Sequence, residues 1–155
     1  MTTHRLIVLA ALGSIALLGG AYAFQHLGGL APCKMCLWQR WPHAAAITIA
    51  ALALAFRLRA LAWLGALAAL ITAGIGAYHV GVEQKWWEGP SSCSGGASLS
   101  GLSGGDLLST AEPTGIVMCD EIAWSMLGIS MPGWNALISL VLVGLWLAAA
   151  RRKPA

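Results

Sequence analysis

Four stretches of this chain are long and apolar and carry no Asp, Glu, Lys or Arg, and they leave few folds open. They run from Leu6 to Phe24, Pro42 to Phe56, Leu61 to Val82 (with His79 near its end) and Gly133 to Ala150. A bilayer's hydrocarbon core is about 30 Å thick and asks roughly 20 apolar residues of a helix. The second stretch is short: 15 residues rise only about 23 Å, so flanking residues must also sit close to the membrane. None of the four alternates with a period of two, which excludes strands of a membrane barrel. With 58% of its 155 residues hydrophobic and 10% charged, the chain is neither an ordinary soluble domain nor disordered. A net charge of +3, carried by scattered residues, argues against nucleic-acid binding. The expectation is an all-α membrane protein, residues 1–155 forming one integral domain with a bundle of four transmembrane helices.

Charge placement orients the spans. Arg5, Arg57, Arg59, Arg151, Arg152 and Lys153 fall on one side of a four-span chain, whereas the other side holds only Lys34, Arg40 and Lys85 among Lys and Arg. The positive-inside rule then places both termini in the cytoplasm. The six acids (Glu83, Glu88, Asp106, Glu112, Asp120, Glu121) lie on the outer side and weigh little. His4-Arg5, an apolar run and Ala21-Tyr22-Ala23 resemble a cleavable signal peptide, but the run is longer than the usual h-region of about 7–15 residues. In the third span Gly65, Ala69, Ala73, Ala77 and Gly81 recur every fourth residue, a stripe that lets helix backbones approach closely.

Two outer loops follow, about 25–41 and 83–131. Ser94 to Gly105 holds four serines and five glycines and reads as a flexible tether. Ile116, Val117, Ile122, Ala123, Trp124, Met126 and Leu127 are too few to span; Ile122, Ala123, Met126 and Leu127 predict a short interfacial helix. Trp86, Trp87, Trp124 and Trp134 flank the outer span ends, where they read as interfacial anchors.

All four cysteines, Cys33, Cys36, Cys93 and Cys119, share the outer side, which in a bacterium is the oxidising periplasm. Two pairs leave no remainder, and three connectivities are open. Pro32 suits the first position of a helix, placing Cys33 and Cys36 in its first turns, where the helix dipole favours a thiolate. Positions 33, 36 and 40 share a face, so the Arg40 guanidinium stands near both sulfurs to stabilise a thiolate or an anionic ligand. Pro42 disfavours helix at Trp41 and predicts a break before the second span. Zinc usually takes two closely spaced pairs, and Cys93 and Cys119 stand far apart in sequence; covalent haem needs a histidine where Leu37 stands.

These residues carry a resemblance. Pro32-Cys33-x-x-Cys36-x-x-Gln39-Arg40, Tyr78-His79-x-Gly81-x-Glu83, the Cys93/Cys119 pair, and Cys119-Asp120-Glu121 followed by Trp124, Leu127, Gly128 and Met131-Pro132 resemble, in order, the DsbB family of bacterial inner-membrane thiol oxidases. The resemblance implies a multi-pass inner-membrane protein that reoxidises a periplasmic DsbA-like protein and passes two electrons to a membrane quinone, ubiquinone or menaquinone. It implies that the partner's thiolate attacks a Cys93–Cys119 disulfide, that Cys119 exchanges with Cys33, and that Cys36 faces the quinone as charge-transfer donor or covalent adduct. Arg40 would hold the quinone, with Gln39, His79 and Glu83 as further contacts. His26 and His43 fit no pattern.

Redox arithmetic shows why such an acceptor is needed. DsbA stands near about −120 mV, and a protein disulfide below about −300 mV would face roughly 8 kcal/mol uphill in oxidising it. The loop around Pro90-Ser91-Ser92-Cys93-Ser94 is family-like without identifying the partner, which leaves room for a dedicated DsbA-like protein. The rival reading is a structural or assembly subunit, or a small transporter, with two static disulfides. A transporter's spans should carry charges or broken helices around a central site, and these do not.

Overall fold

The computed structural model describes residues 2–90, 93 and 118–152. Four helices make up most of it: α1 (Thr3–His26), α2 (Lys34–Ala55), α3 (Leu61–Glu83) and α4 (Met131–Arg151). At 21 to 24 residues each, they are about 31–36 Å long, enough to cross a hydrocarbon core. By length and composition α1, α3 and α4 qualify as spans. The first half of α2 carries Gln39, Arg40 and His43 instead, which lowers its hydropathy without shortening it. The protein is an all-helical four-helix bundle.

Helix ends follow local chemistry. Thr2 caps α1, its hydroxyl accepting from the Arg5 N–H at 3.3 Å. The α1–α2 connection turns at Gly29, whose φ of +66° suits glycine alone without cost. Pro132 stands in the first turn of α4, where its missing N–H costs nothing. Pro42 behaves differently from expectation. No break occurs at Trp41, and α2 runs through the proline without interruption. Only the intrahelical bond to the Trp38 carbonyl is forfeited, a loss that neighbouring helices make tolerable in a membrane bundle. The continuous helix also supplies the length that the stretch from Pro42 lacks.

The helices form a ring in which α3 packs on α2 and α4, and α1 closes the circle between those two. Small residues face inward and large ones outward. Ala10, Ala50, Ala53, Ala62, Ala69 and Ala149 are buried around Leu6, Ile7, Leu142 and Trp146. Leu9, Leu12, Ile15, Leu67, Leu70, Leu140 and Val141 are exposed. That inversion of a soluble bundle is the signature of packing in lipid, where closeness of backbones replaces a hydrophobic drive. Gly65 shows why: a Cβ there would strike the Trp146 ring. The small-residue stripe holds for Gly65, Ala69 and Ala73, which are buried, and then drifts. Every-fourth positions precess about 40° per step on a 3.6-residue helix. Ala77 is therefore exposed, and Gly76 takes over against Pro132 and Ala136 of α4.

Between α3 and α4 the expected interfacial helix is absent. Ser125–Met126 (β1) and Ile129–Ser130 (β2) pair antiparallel as a minimal hairpin. Leu127 and Gly128 have φ of +55° and +78°, the positive pair of a type I′ turn, which no helix accommodates. The Trp134 Nε1 donates to the Met126 carbonyl at 3.2 Å, and the Met131 N–H to the Trp124 carbonyl at 3.2 Å, tying this segment to α4. Trp87 is likewise more than an anchor. Its Nε1 donates to the Tyr78 carbonyl at 3.0 Å while its ring stacks on Tyr78 and covers Gly81. The Ser94–Gly105 tether, Asp106, Glu112, Ile116, Val117 and Lys153 lie outside the described residues.

Candidate active site

The start of α2 organises the site. Cys33, with extended φ −73° and ψ 169°, is the N-cap of α2, and its Sγ accepts from the Cys36 N–H at 3.1 Å. Pro32 thus precedes the cap and is not the first helical residue as expected. The shift of one position matters: a sulfur at the N-cap meets the orphan N–H groups of the first turn directly. Cys36 falls in that turn, with its Sγ 2.7 Å from that of Cys33, and both are thiols. Cys33 is 3% exposed and Cys36 partly exposed. The hydrogen bond to Cys36, aided by burial, pushes the Cys33 thiol up from its ordinary value. A thiolate is thus disfavoured at Cys33.

Cys93 and Cys119 are joined by a disulfide. The bridge is clamped by the loop backbone, since the Cys93 N–H donates to the Pro90 carbonyl and the Cys119 N–H to the Cys93 carbonyl, each at 2.7 Å. Lys85 and Asp120 form an ion pair at 3.0 Å beside it, exposed enough to contribute little. Cys119 is fully buried and packs with Cys33, Met35 and Val82. The sulfurs of Cys33 and Cys119 and a ring nitrogen of His79 lie within 4.8 Å of one another. The fold thus brings both motifs together over 86 positions of sequence.

His79 bridges the sulfur cluster to a polar network inside the bundle. Its Nε2 stands 3.6 Å from Cys33 Sγ and its Nδ1 3.1 Å from Gln39 Nε2. The Gln39 amide also donates to the Met35 carbonyl at 3.2 Å, and its oxygen accepts from Asn135 Nδ2 at 2.7 Å. Asn135 continues to Thr72 Oγ1 at 3.1 Å and, through Oδ1, to His43 Nε2 at 2.9 Å. Asn135, Thr72 and His43 were not singled out by sequence reasoning. Asn135 was detectable: a polar residue inside a span is a site hypothesis by default. Glu83 is buried, and its carboxylate accepts from the Ser130 hydroxyl. Arg40 reaches α1, donating from Nη1 to Gln25 Oε1 at 2.6 Å and from Nη2 to the Ala21 carbonyl at 3.5 Å, with the Tyr22 ring 4.7 Å away. Arg40 and both thiols line the same cavity.

A cavity of about 470 Å³ adjoins these groups. Cys36, Gln39, Arg40, His43, His79, Glu83 and Asn135 supply its polar wall; Leu17, Phe24, Trp124, Trp134 and Ile138 are among its apolar lining. Size and lining are those of a small-molecule pocket. Among the described residues, Arg40 Nε and His43 Nδ1 are buried without a hydrogen-bond partner. All of the nominated residues except Cys93 and Cys119 line this cavity.

Comparison with known proteins agrees with the motifs. The family described as "Disulfide bond formation protein DsbB" matches residues 3–149. The chain belongs to the DsbB family. Among its relatives, the Disulfide bond formation protein B of Verminephrobacter eiseniae is 39% identical, over 99% of this chain and 94% of the relative. That of a Polaromonas species is 31% identical over 92% and 88%, and that of Methylococcus capsulatus 36% identical over 77% and 76%. No solved structure matches the chain. As a DsbB-family protein it is a multi-pass membrane oxidoreductase of disulfide bond formation, and the bundle described above is the scaffold on which its cysteines meet.

Proposed function

We propose that this DsbB-family chain oxidises a periplasmic DsbA-like dithiol and delivers the two electrons to a membrane quinone, ubiquinone or menaquinone. The observation that carries the reading is the position of Cys33 and Cys36: Cys33 is packed against Cys119, and Cys36 stands in the wall of the apolar cavity. The residues fit a quinone. The cavity is apolar on most sides, and the orphaned Arg40 Nε suits a carbonyl oxygen of such a ligand, while His43 Nδ1, left as an acceptor by the Nε2 bond to Asn135, suits a hydroxyl of its reduced form. When bound, the quinone accepts two electrons and two protons.

The chain's own residues do the rest by thiol–disulfide exchange. A partner thiolate attacks Cys93, breaking the Cys93–Cys119 bond and releasing Cys119; the partner's second thiol then closes its own disulfide and releases Cys93. Cys119 attacks Cys33 of an oxidised Cys33–Cys36 pair, and Cys93 completes the exchange, leaving Cys33 and Cys36 reduced. The step leaves the outer pair joined and the inner pair as thiols. Cys36 yields the electrons at the cavity wall, while Arg40 offsets developing negative charge and Gln39, His79 and Glu83 shape the polar side. Proximity of the pairs replaces a bimolecular encounter with an internal one.

Purified protein in lipid, given a reduced DsbA-like protein and quinone, is expected to form quinol catalytically. Replacing any one of Cys33, Cys36, Cys93 or Cys119 with serine stops steady turnover, and Arg40→Ala mainly raises the quinone KM. Turnover persisting in all four serine variants overturns the reading and returns the chain to a structural subunit with static bridges.

A further inference from the structure

The sequence separation of Cys93 and Cys119 argues against a metal, but the fold removes that objection for Cys119. Cys33, His79 and Cys119 are all buried, with their potential ligand atoms mutually within 4.8 Å. Cys36 Sγ lies 2.7 Å from Cys33 Sγ, outside that mutual 4.8 Å group, and becomes a fourth donor once its side chain turns toward His79 and Cys119. Three sulfurs and one imidazole nitrogen form the Cys₃His set of tetrahedral zinc sites. With metal–sulfur distances of about 2.3 Å and metal–nitrogen near about 2.0 Å, adjacent donors in such a site stand roughly 3.5–4 Å apart. Cys33 and Cys36 must separate by about 1 Å, and the Cys36 side chain must swing toward the other two donors. A disulfide sulfur is not a thiolate ligand, so the set is incomplete while Cys93 and Cys119 are joined.

We propose that the fully reduced chain binds one Zn²⁺-class cation through Cys33, Cys36, Cys119 and His79, so that opening the Cys93–Cys119 disulfide creates a metal site. A dithiol reductant supplies two electrons and two protons, yielding the Cys93 and Cys119 thiols and its own disulfide. The cation then takes three thiolates, releasing a proton from each thiol that still carries one, and the lone pair of neutral His79. Soft sulfur and imidazole donors select Zn²⁺, Co²⁺ or Cd²⁺ over Mg²⁺ and Ca²⁺. Metal binding through Nε2 requires the imidazole proton on Nδ1. Gln39 Nε2 is 3.1 Å from that atom, so metal binding requires the Gln39 amide to give up its bonds to Met35 and Asn135 and turn its oxygen to the imidazole. Bound metal would hold Cys33 and Cys119 as ligands and away from exchange. The inference goes beyond the oxidase reading, because it needs four side chains and a reductant but no quinone.

The test titrates full-length protein in lipid nanodiscs with Co²⁺, anaerobically, after reduction by a phosphine. The expected result is the visible absorption of tetrahedral Co²⁺ with near-ultraviolet thiolate charge-transfer bands, saturating at one ion per chain and bleached by Zn²⁺. The oxidised chain shows none of this, a comparison that needs no variant. Cys119→Ser and His79→Ala each weaken binding at least about tenfold, whereas Gln39→Glu strengthens it by fixing the Nδ1 proton. Absence of the bands from the reduced chain overturns the proposal, as do bands of equal strength in the Cys119→Ser and His79→Ala variants. Quinol formation in metal-free buffer reports separately on the oxidase reading.

Discussion

Cys33 and Cys36 differ by their positions around one helix start. Cys33 caps α2, is almost wholly buried and has its thiol value raised by Cys36; Cys36 is partly open to the cavity. Because the Cys36 hydrogen bond and burial raise the pKa of Cys33, thiolate reactivity is expected to begin at Cys36. Limited alkylation of protein with the outer pair joined should therefore modify Cys36 first, as peptide mass mapping would show; equal labelling of both sulfurs would contradict the assignment. Asn135 tests the inner network. Interhelical hydrogen bonds in membrane bundles average only about 0.6 kcal/mol. Asn135→Leu should thus lower unfolding stability by about 1 kcal/mol or less, while misplacing Gln39 and His43 and raising the quinone KM several-fold. A stability loss without a KM change would make Asn135 structural. The cysteines, Arg40, Gln39, His79 and Glu83 were legible because spacing and motif mark them. His43 and Thr72 were not, because their partnership with Asn135 spans three helices and 29 to 92 positions of chain, whereas Asn135 was marked by its polarity inside a span.

At the scale of elements, the four apolar stretches were visible and their ends were not. Pro42 reads as a breaker in isolation, yet α2 is held by its contacts with α1 and α3, and tertiary packing outweighs one missing bond. The β1–β2 hairpin was hidden for another reason. Leu127 is a poor residue for positive φ, so the turn lacks the usual Asn-Gly signal. A left-handed backbone costs a residue such as leucine roughly 1–2 kcal/mol. Leu127 is also 85% exposed, so its side chain offers little packing in return. Leu127→Asn should accordingly raise stability by about 1 kcal/mol in chemical unfolding. A loss would mean that the exposed leucine is anchored by lipid or a partner.

For the whole molecule, the order of helices around the ring could not be read from composition, since in lipid every face is apolar. Only the small-residue stripe of α3 marked a packing face, and it did so for its first half. Sidedness is an inference of the same scale. Arg57 and Arg59 lie at the bundle end away from the cysteines, and Arg59 Nη1 donates to the Arg152 carbonyl at that end. On the positive-inside rule we propose that both termini are cytoplasmic and the cysteine cluster periplasmic. Alkaline phosphatase, active only after export, should stay silent when fused after Arg152 and be active when inserted near Gln84; the reverse pattern would invert the molecule.

The ring closure of Trp146 over Gly65 has a mechanical corollary. Toward one end of the bundle the Trp146 ring fills the space that Gly65 leaves, while the opposite end holds polar side chains around a cavity. Opening the cavity end need not disturb the contact at Gly65. A hydrophobic guest can then slip in sideways from the lipid without the scaffold having to come undone.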